Sequence, residues 1–445
     1  MARTVLLRSL IALGAIAVLT PLAPAQAQPA QPSQAPAAPV DPQIKIRAIR
    51  ALADRGEDGL AAIAAYANDP SIDVRVEMVK RIAEIGGPRV QPALLRILRD
   101  PDPEIQIRAT DGLVNIYLPG YLKTSVSRNL ARTKDGVRVS FDGNEQVVDG
   151  YVTVPPEVTT ALGDVMKSSP NFDSRANAAR ALGVLHAQSA VPDLLQALYS
   201  KNDQLMFESL IALQKVRDPS AGPRLAFLVR DLSEPVKIAA LRTVGILRTK
   251  QALPDIRYLL RNSKGKAVER EALTALSRIA DPTDHDEFVR YLVGKDANLR
   301  TLGAEGLARI HNPADLHRLT EGFLDEKDMG ARLAVSFAMV ALGRVETTQV
   351  APLGYLINTL NRVTYRSVVL SYLTELTRDA KVRQALYPTL VAASRSEKTG
   401  IAIVLGWSGE QDSVPFLDAM RRDSDSEVSQ QATVSLRNLE ARLKQ

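Results

Sequence analysis

Residues 90–117 read VQPALLRILRDPDPEIQIRATDGLVNIY, and this stretch predicts a helical hairpin. Pro92 falls in the opening turn of a first helix running from Val90 to Leu98, where its missing N–H removes no bond. Apolar residues recur through that helix at helical spacing. Asp100-Pro-Asp-Pro-Glu104 then turns the chain, and its acidic side chains suit the start of the next helix. The second helix, Ile105 to Tyr117, presents Ile105, Ile107, Ala109, Leu113 and Ile116. One such hairpin cannot bury its apolar face alone, so neighbours must stack on it.

Outward from this stretch the pattern repeats. Arg75 in DPSIDVR and Arg108 in DPDPEIQIR are 33 apart. Equivalent anchors follow at Arg175, Glu208, Lys237, Glu269, Arg300, Arg332, Lys398 and Ser429, mostly 29 to 33 residues apart, with a weaker one at Arg47. The 66-residue step from Arg332 to Lys398 accommodates two units. Pro92, Pro192, Pro254 and Pro415 each lie 17 residues after an anchor, and Gly183, Gly245 and Gly406 lie eight after one. The glycines are expected to end second helices. Small residues at Ala178/Ala179, Ala239/Ala240 and Ala432 are expected to let neighbouring helices approach closely.

Composition agrees with an array. At 445 residues the chain exceeds what a single hydrophobic core sustains, so it divides or extends as repeats. Aromatics make up 4%, which suits thin helices packed on Ala, Leu, Val and Ile. With no cysteine there is no disulfide, no thiolate metal site and no cysteine nucleophile. The formal charge is +6; without Arg3 and Arg8 it is +4, too small for a whole-surface polyanion binder, and no nucleic-acid partner is expected.

The start of the chain reads as an export signal over residues 1–27. Arg3 and Arg8 precede the apolar run Leu10–Leu19, and Ala25-Gln-Ala27 offers a cleavage site after Ala27. That run is too short for the ~20 residues a spanning helix needs, so no transmembrane segment is expected after cleavage. Residues 28–42, rich in Pro, Ala and Gln, read as a disordered linker. The expected location is the periplasm or the exterior of the cell.

The DP-x(3)-VR turn, the Ala-rich second helix and AVPDLL-type openings resemble HEAT repeats, in particular the short bacterial HEAT-like variety of the phycobilisome (PBS)-lyase type. The resemblance covers 43–118 and 157–445. It implies an all-α, α-α superhelix of about 11–12 helical hairpins, with second helices on the concave face and anchor arginines paired to turn acids of adjacent units.

Residues 119–156 break the pattern. Val137–Phe141 and Val152–Val154 alternate as short strands around Asp142-Gly-Asn144 and Asp149-Gly150, which predicts a small β-hairpin-like insertion replacing part of a unit. Within it Lys123, Arg128, Arg132, Lys134 and Arg138 face Asp135 alone. This basic run is either a contact patch for an acidic partner or anionic envelope surface, or a solvated loop. Trp407 is expected to pack between units. Asp284-His-Asp-Glu287, His311 and His317 lack metal-ligand spacing, and no GxSxG, Walker or HExxH motif occurs, so neither cofactor nor active site is expected. The expected function is a non-enzymatic scaffold for a protein or other extended partner. The alternatives are a HEAT-like lyase or chaperone for prosthetic-group attachment, and an envelope glycan- or lipid-binding component.

Overall fold

The structure, a computed structural model, describes residues 41–122 and 146–444. Residues from Pro42 onward form one compact unit, and every described regular element in it is helical. Twelve long second helices succeed one another. They are α1 (Pro42–Ala53), α2 (Ile72–Ile85), α3 (Pro103–Tyr117), α4 (Phe172–Val184), α5 (Asp203–Val216) and α6 (Glu234–Ile246). Then come α7 (Lys266–Ile279), α8 (Ala297–Ile310), α9 (Met329–Ala341), α10 (Val363–Leu376), α11 (Arg395–Ser408) and α12 (Ser426–Leu443). Between them lie first helices that are mostly shorter, such as Gln91–Ile97 and Val414–Met420. Helix α10 is the unit inside the long step, with Arg366 in the anchor place.

The elements form for the expected local reasons. Pro92, Pro192, Pro254 and Pro415 all sit in the opening turn of a first helix. Asp102, Asn171, Asn202, Asp296, Asp328 and Asp425 cap second helices by accepting from backbone N–H groups one turn ahead. The apolar faces then join into one hydrophobic core that runs from Ile46 to Leu439 without a break. Ala178, Ala179, Ala239, Ala240 and Ala432 are fully buried in it, as the stacking requires. No helix among the described residues is long and apolar enough to cross a membrane.

Three expectations need correction. Gly183, Gly245 and Gly406 do not end helices; they lie inside α4, α6 and α11. A Cβ at these positions would lie 2.6 Å from Ala212 Cα, 2.9 Å from Ala275 Cα and 2.9 Å from Ser435 Cα, each on the next second helix. These glycines exist for close helix approach.

The insertion is the second. Val137–Phe141 lies outside the described residues, and Val152–Val154 belongs to no strand. The backbone there bonds to the solenoid or turns on itself: Val148 N–H donates to the Val184 carbonyl (2.9 Å) and Val152 N–H to that of Asp149 (2.9 Å). Nor does the excursion replace a helical unit. Helix α3 packs directly on α4, with Ser169 Oγ donating to Gln106 Oε1 (2.8 Å) and Asn177 Nδ2 to Asp111 Oδ1 (3.0 Å).

The third concerns the anchor ladder. Arg75 reaches Asp100 (2.8 Å) and Arg300 reaches Glu326 (2.7 Å), acids of the following turn. Lys398 does the same with Asp423 (2.7 Å). Arg108 instead pairs with Glu104 of its own helix, and Arg175 donates to the Met166 carbonyl (2.7 Å). Arg332 lies over the Phe323 and Tyr355 rings, a cation–π contact that replaces the acid. The ladder holds only where the turn supplies a carboxylate.

Candidate functional site

The C-terminal ends of the second helices converge. Tyr372 on α10 donates its hydroxyl hydrogen bond to Glu305 on α8 (2.7 Å), two units away. Arg309 at the end of α8 grips Glu375 of α10 (2.9 Å). Arg248, just beyond α6, lies 3.8 Å from that same carboxylate across four units. Contacts that skip units can form only on the inside of a curve, so the second helices line the concave face.

One basic side chain stands at this inner end in each of five successive units: His186, Arg217, Arg248, Arg278 and Arg309. Helix ends attract cations through their dipoles, and that accounts for part of the row. It does not account for the backbone. His186, Arg217, Arg248 and His311 all have positive φ (52°, 57°, 51° and 62°), as does Ala280 (53°), while the matching place after α9 is Gly343 (103°). A side chain in this left-handed conformation costs about 1 kcal/mol relative to glycine, yet four of these places carry His or Arg.

The electrostatics divide the row into a satisfied part and an unsatisfied part. Burial works against the charged form of Arg309, but Glu305 and Glu375 raise its pKa above the ordinary arginine value. Arg217 is the reverse: burial first, and the Arg378 guanidinium second, push its pKa down. Burial and then Arg217 likewise push His186 below the usual histidine range. Arg278 is lowered chiefly by burial, and its Nη1 is a buried donor without an acceptor. His186 and Arg217 nonetheless remain exposed to water, as groups lining a concave wall would be.

A second ladder joins adjacent inner helices. Arg50 Nε donates to Glu77 (2.7 Å), Arg180 Nε to Glu208 (3.0 Å) and Arg242 Nε to Glu271 (3.0 Å). Counting Arg217, Arg248, Arg278, Arg309, Arg378 and Arg242 against Glu271, Glu305 and Glu375, the connected set carries three excess positive charges.

The returning end of the excursion crosses this face. Lys215 Nζ donates to the Gln146 carbonyl (3.0 Å), and Gly150 N–H donates to Asn438 Oδ1 on α12 (2.9 Å). Asn438 Nδ2 donates in turn to Asp149 (3.1 Å), so positions 288 or 289 apart in sequence meet. The basic residues Lys123, Arg128, Arg132, Lys134 and Arg138 lie outside the described residues.

Trp407 is 55% exposed and does not pack between units as expected. It stands nine residues after its anchor, the place held by Arg278, Arg309, Glu375 and Asn438 in other units, which sets it on the inner face. His285 bridges units through Asp315 (2.9 Å), and no group of three or more His, Asp or Glu among the described residues could hold a metal. The inner row is partly legible in the sequence, since arginine recurs at that nine-residue offset in two units, Arg278 and Arg309.

A family profile described as HEAT repeats matches residues 37–114 and 159–231. No curated protein matches the sequence. Among solved structures, the CpcE–CpcF complex of phycocyanin lyase from Nostoc sp. PCC7120 is similar at 18% identity and a TM-score of 0.38, over 61% of this chain and 93% of that one. An engineered protein is similar at 17% identity and a TM-score of 0.33, over 89% of this chain and 99% of its own. A designed armadillo repeat protein is similar at 16% identity and a TM-score of 0.31, over 41% and 98%. At TM-scores this low nothing follows from them about binding or chemistry.

Proposed function

We propose that this chain, a HEAT-repeat α-solenoid, is an exported scaffold that binds an extended protein partner along the inner face of its second helices. The observation that carries this reading is the row of basic residues from His186 to Arg309 at the inner helix ends, of which His186, Arg217 and Arg248 hold a left-handed conformation that glycine would adopt at lower cost. A stacked array offers contacts at regular intervals, which suits an elongated partner. In this reading the protein acts by binding and not by catalysis. The leader at 1–27 supports action in the periplasm or outside the cell. Lys123, Arg128, Arg132, Lys134 and Arg138 are assigned to the same partner, since they belong to the excursion whose returning end crosses the inner face.

Photo-crosslinking in the exporting cell tests this. A photoreactive residue at Arg378 or Trp407 probes the inner face, one at Tyr258 or Leu324 the exposed first-helix side, and one at Lys123 the basic stretch. Adducts to one protein partner are expected from the inner positions and Lys123, and none from the first-helix side. Adducts from Tyr258 and Leu324 alone, or none from Arg378 and Trp407, would reject the inner-face reading. Loss at Lys123 alone would remove the basic stretch from it.

A further inference from the structure

We infer that the stretch Gln146–Val152 is a releasable clasp, fixed to α4 and α5 and detachable from α12, which closes the inner face to the partner until it detaches. The inference rests on the scaffold reading above and adds a control on access to it.

The sequence makes this stretch a turn with an unused donor at its tip. Asp149-Gly150 supplies turn-forming residues, and Val152 N–H donates to the Asp149 carbonyl (2.9 Å), closing four residues on themselves. The turn makes no use of the Gly150 N–H. That group donates instead to Asn438 Oδ1 on α12 (2.9 Å), while Asn438 Nδ2 donates to Asp149 (3.1 Å).

Both ends of the clasp land on the inner register. Val184, whose carbonyl takes the Val148 N–H (2.9 Å), and Asn438 each stand nine residues after an anchor, as Trp407 does. Gln146 and Gly150 are four residue steps apart, and so at most about 14 Å. Helices α5 and α12, which these two residues touch, would be about 60 Å apart if the seven helix steps between them were straight. The clasp therefore spans the opening of the curve, and a partner running along the inner face from α5 to α12 meets it.

The two attachments are unequal. On the α4–α5 side Val148 is buried with its N–H on Val184, and the Gln146 carbonyl accepts from the nearly buried Lys215 ammonium (3.0 Å). Lifting the chain there would orphan a buried donor and take an acceptor from a buried charge, both costly. On the α12 side Asp149 and Gly150 are exposed and Asn438 is half-buried. Water can replace both hydrogen bonds there, so their net contribution is small. Packing adds little to them, since even a Cβ built on Gly150 would meet Asn438 Oδ1 no closer than 3.6 Å. The clasp hinges at α5 and opens at α12.

The test uses the full chain with one spin label each at Arg217→Cys and Glu440→Cys, exposed positions beyond the two ends of the clasp. Double electron–electron resonance should give one dominant distance well under the ~60 Å of a straight stack. Asp149→Ala/Asn438→Ala should add a longer population, raising the open fraction about fivefold or more with helical content unchanged. Gln430→Ala, exposed on the same helix, should change nothing. In the exporting cell a photoreactive residue at Trp407 then reads access. The double alanine variant should increase its protein adduct, and Gly150→Cys/Asn438→Cys joined by a short bifunctional thiol reagent should abolish it. An unaltered distance distribution in the double alanine variant would overturn the clasp. So would an adduct that falls on release or survives the thiol crosslink, because the stretch would then belong to the partner's site or lie clear of it. If Trp407 gives no adduct in any variant while the distances still lengthen, the hinge motion stands and the scaffold reading falls, taking the control of access with it.

Discussion

Glu375→Ala is expected to destabilise the solenoid by about 3 kcal/mol, the low end of the range for breaking a largely buried ion pair from one side. The carboxylate takes two donors from Arg309 and lies beside Arg248, so its removal leaves the mostly buried Arg309 guanidinium with Glu305 as its remaining acid. Burial alone would raise the Glu375 pKa; Arg309, with the nearby charges of Arg248 and Arg378, more than offsets it and holds the carboxyl below the usual range. A carboxyl whose pKa is depressed by folding stabilises the fold above its unfolded value, near 4.3, and loses that contribution as pH falls through the folded value. Urea unfolding should therefore show the wild type losing part of its advantage over Glu375→Ala below about pH 4. An unchanged urea midpoint near neutral pH, or a difference that grows on acidification, would remove this pair from the account.

The second large effect concerns glycine. Gly183→Ala, Gly245→Ala and Gly406→Ala should each cost about 1–3 kcal/mol, because the new methyl meets backbone on the adjacent second helix at under 3 Å. In an open helix the same change gains about 0.5–1 kcal/mol. Gly322 provides that comparison within one protein: it lies in the Leu316–Asp325 helix and nothing approaches within 4 Å of an added Cβ. Gly322→Ala should raise the melting temperature while Gly183→Ala lowers it. Equal shifts at the two sites would mean that neighbouring second helices are not in backbone contact.

Which features could be read in advance follows from their range along the chain. The period, the prolines in first turns and the Asp and Asn caps are local, and each declares itself within a few residues of sequence. The glycines were visible, but their role was not. Gly183 acquires a function only through Ala212, and a helix-terminating glycine looks the same in sequence as one at a helix crossing. Meanwhile helix ends that would suit glycine carry Arg217 and His311, which local preference cannot anticipate. The strand at Val152–Val154 failed because alternation signals extended chain without naming a partner, and Val148 finds its partner in Val184 of the solenoid. Contacts such as Arg248 with Glu375 depend on the curvature accumulated over four units, a sum of small rotations that no single repeat encodes visibly.

That curvature is the claim on which the inner face and the scaffold reading depend. The chain has no cysteine, so Arg248→Cys and Arg378→Cys accept one spin label each without background. Four inner-helix steps separate the two positions, about 40 Å if the units were stacked straight at ordinary helix spacing. Double electron–electron resonance should instead return a single short distance near the lower limit of the technique, because Glu375 lies within 3.8 Å of Arg248. A distribution centred near the straight-stack value would contradict the converging inner face and everything argued from it.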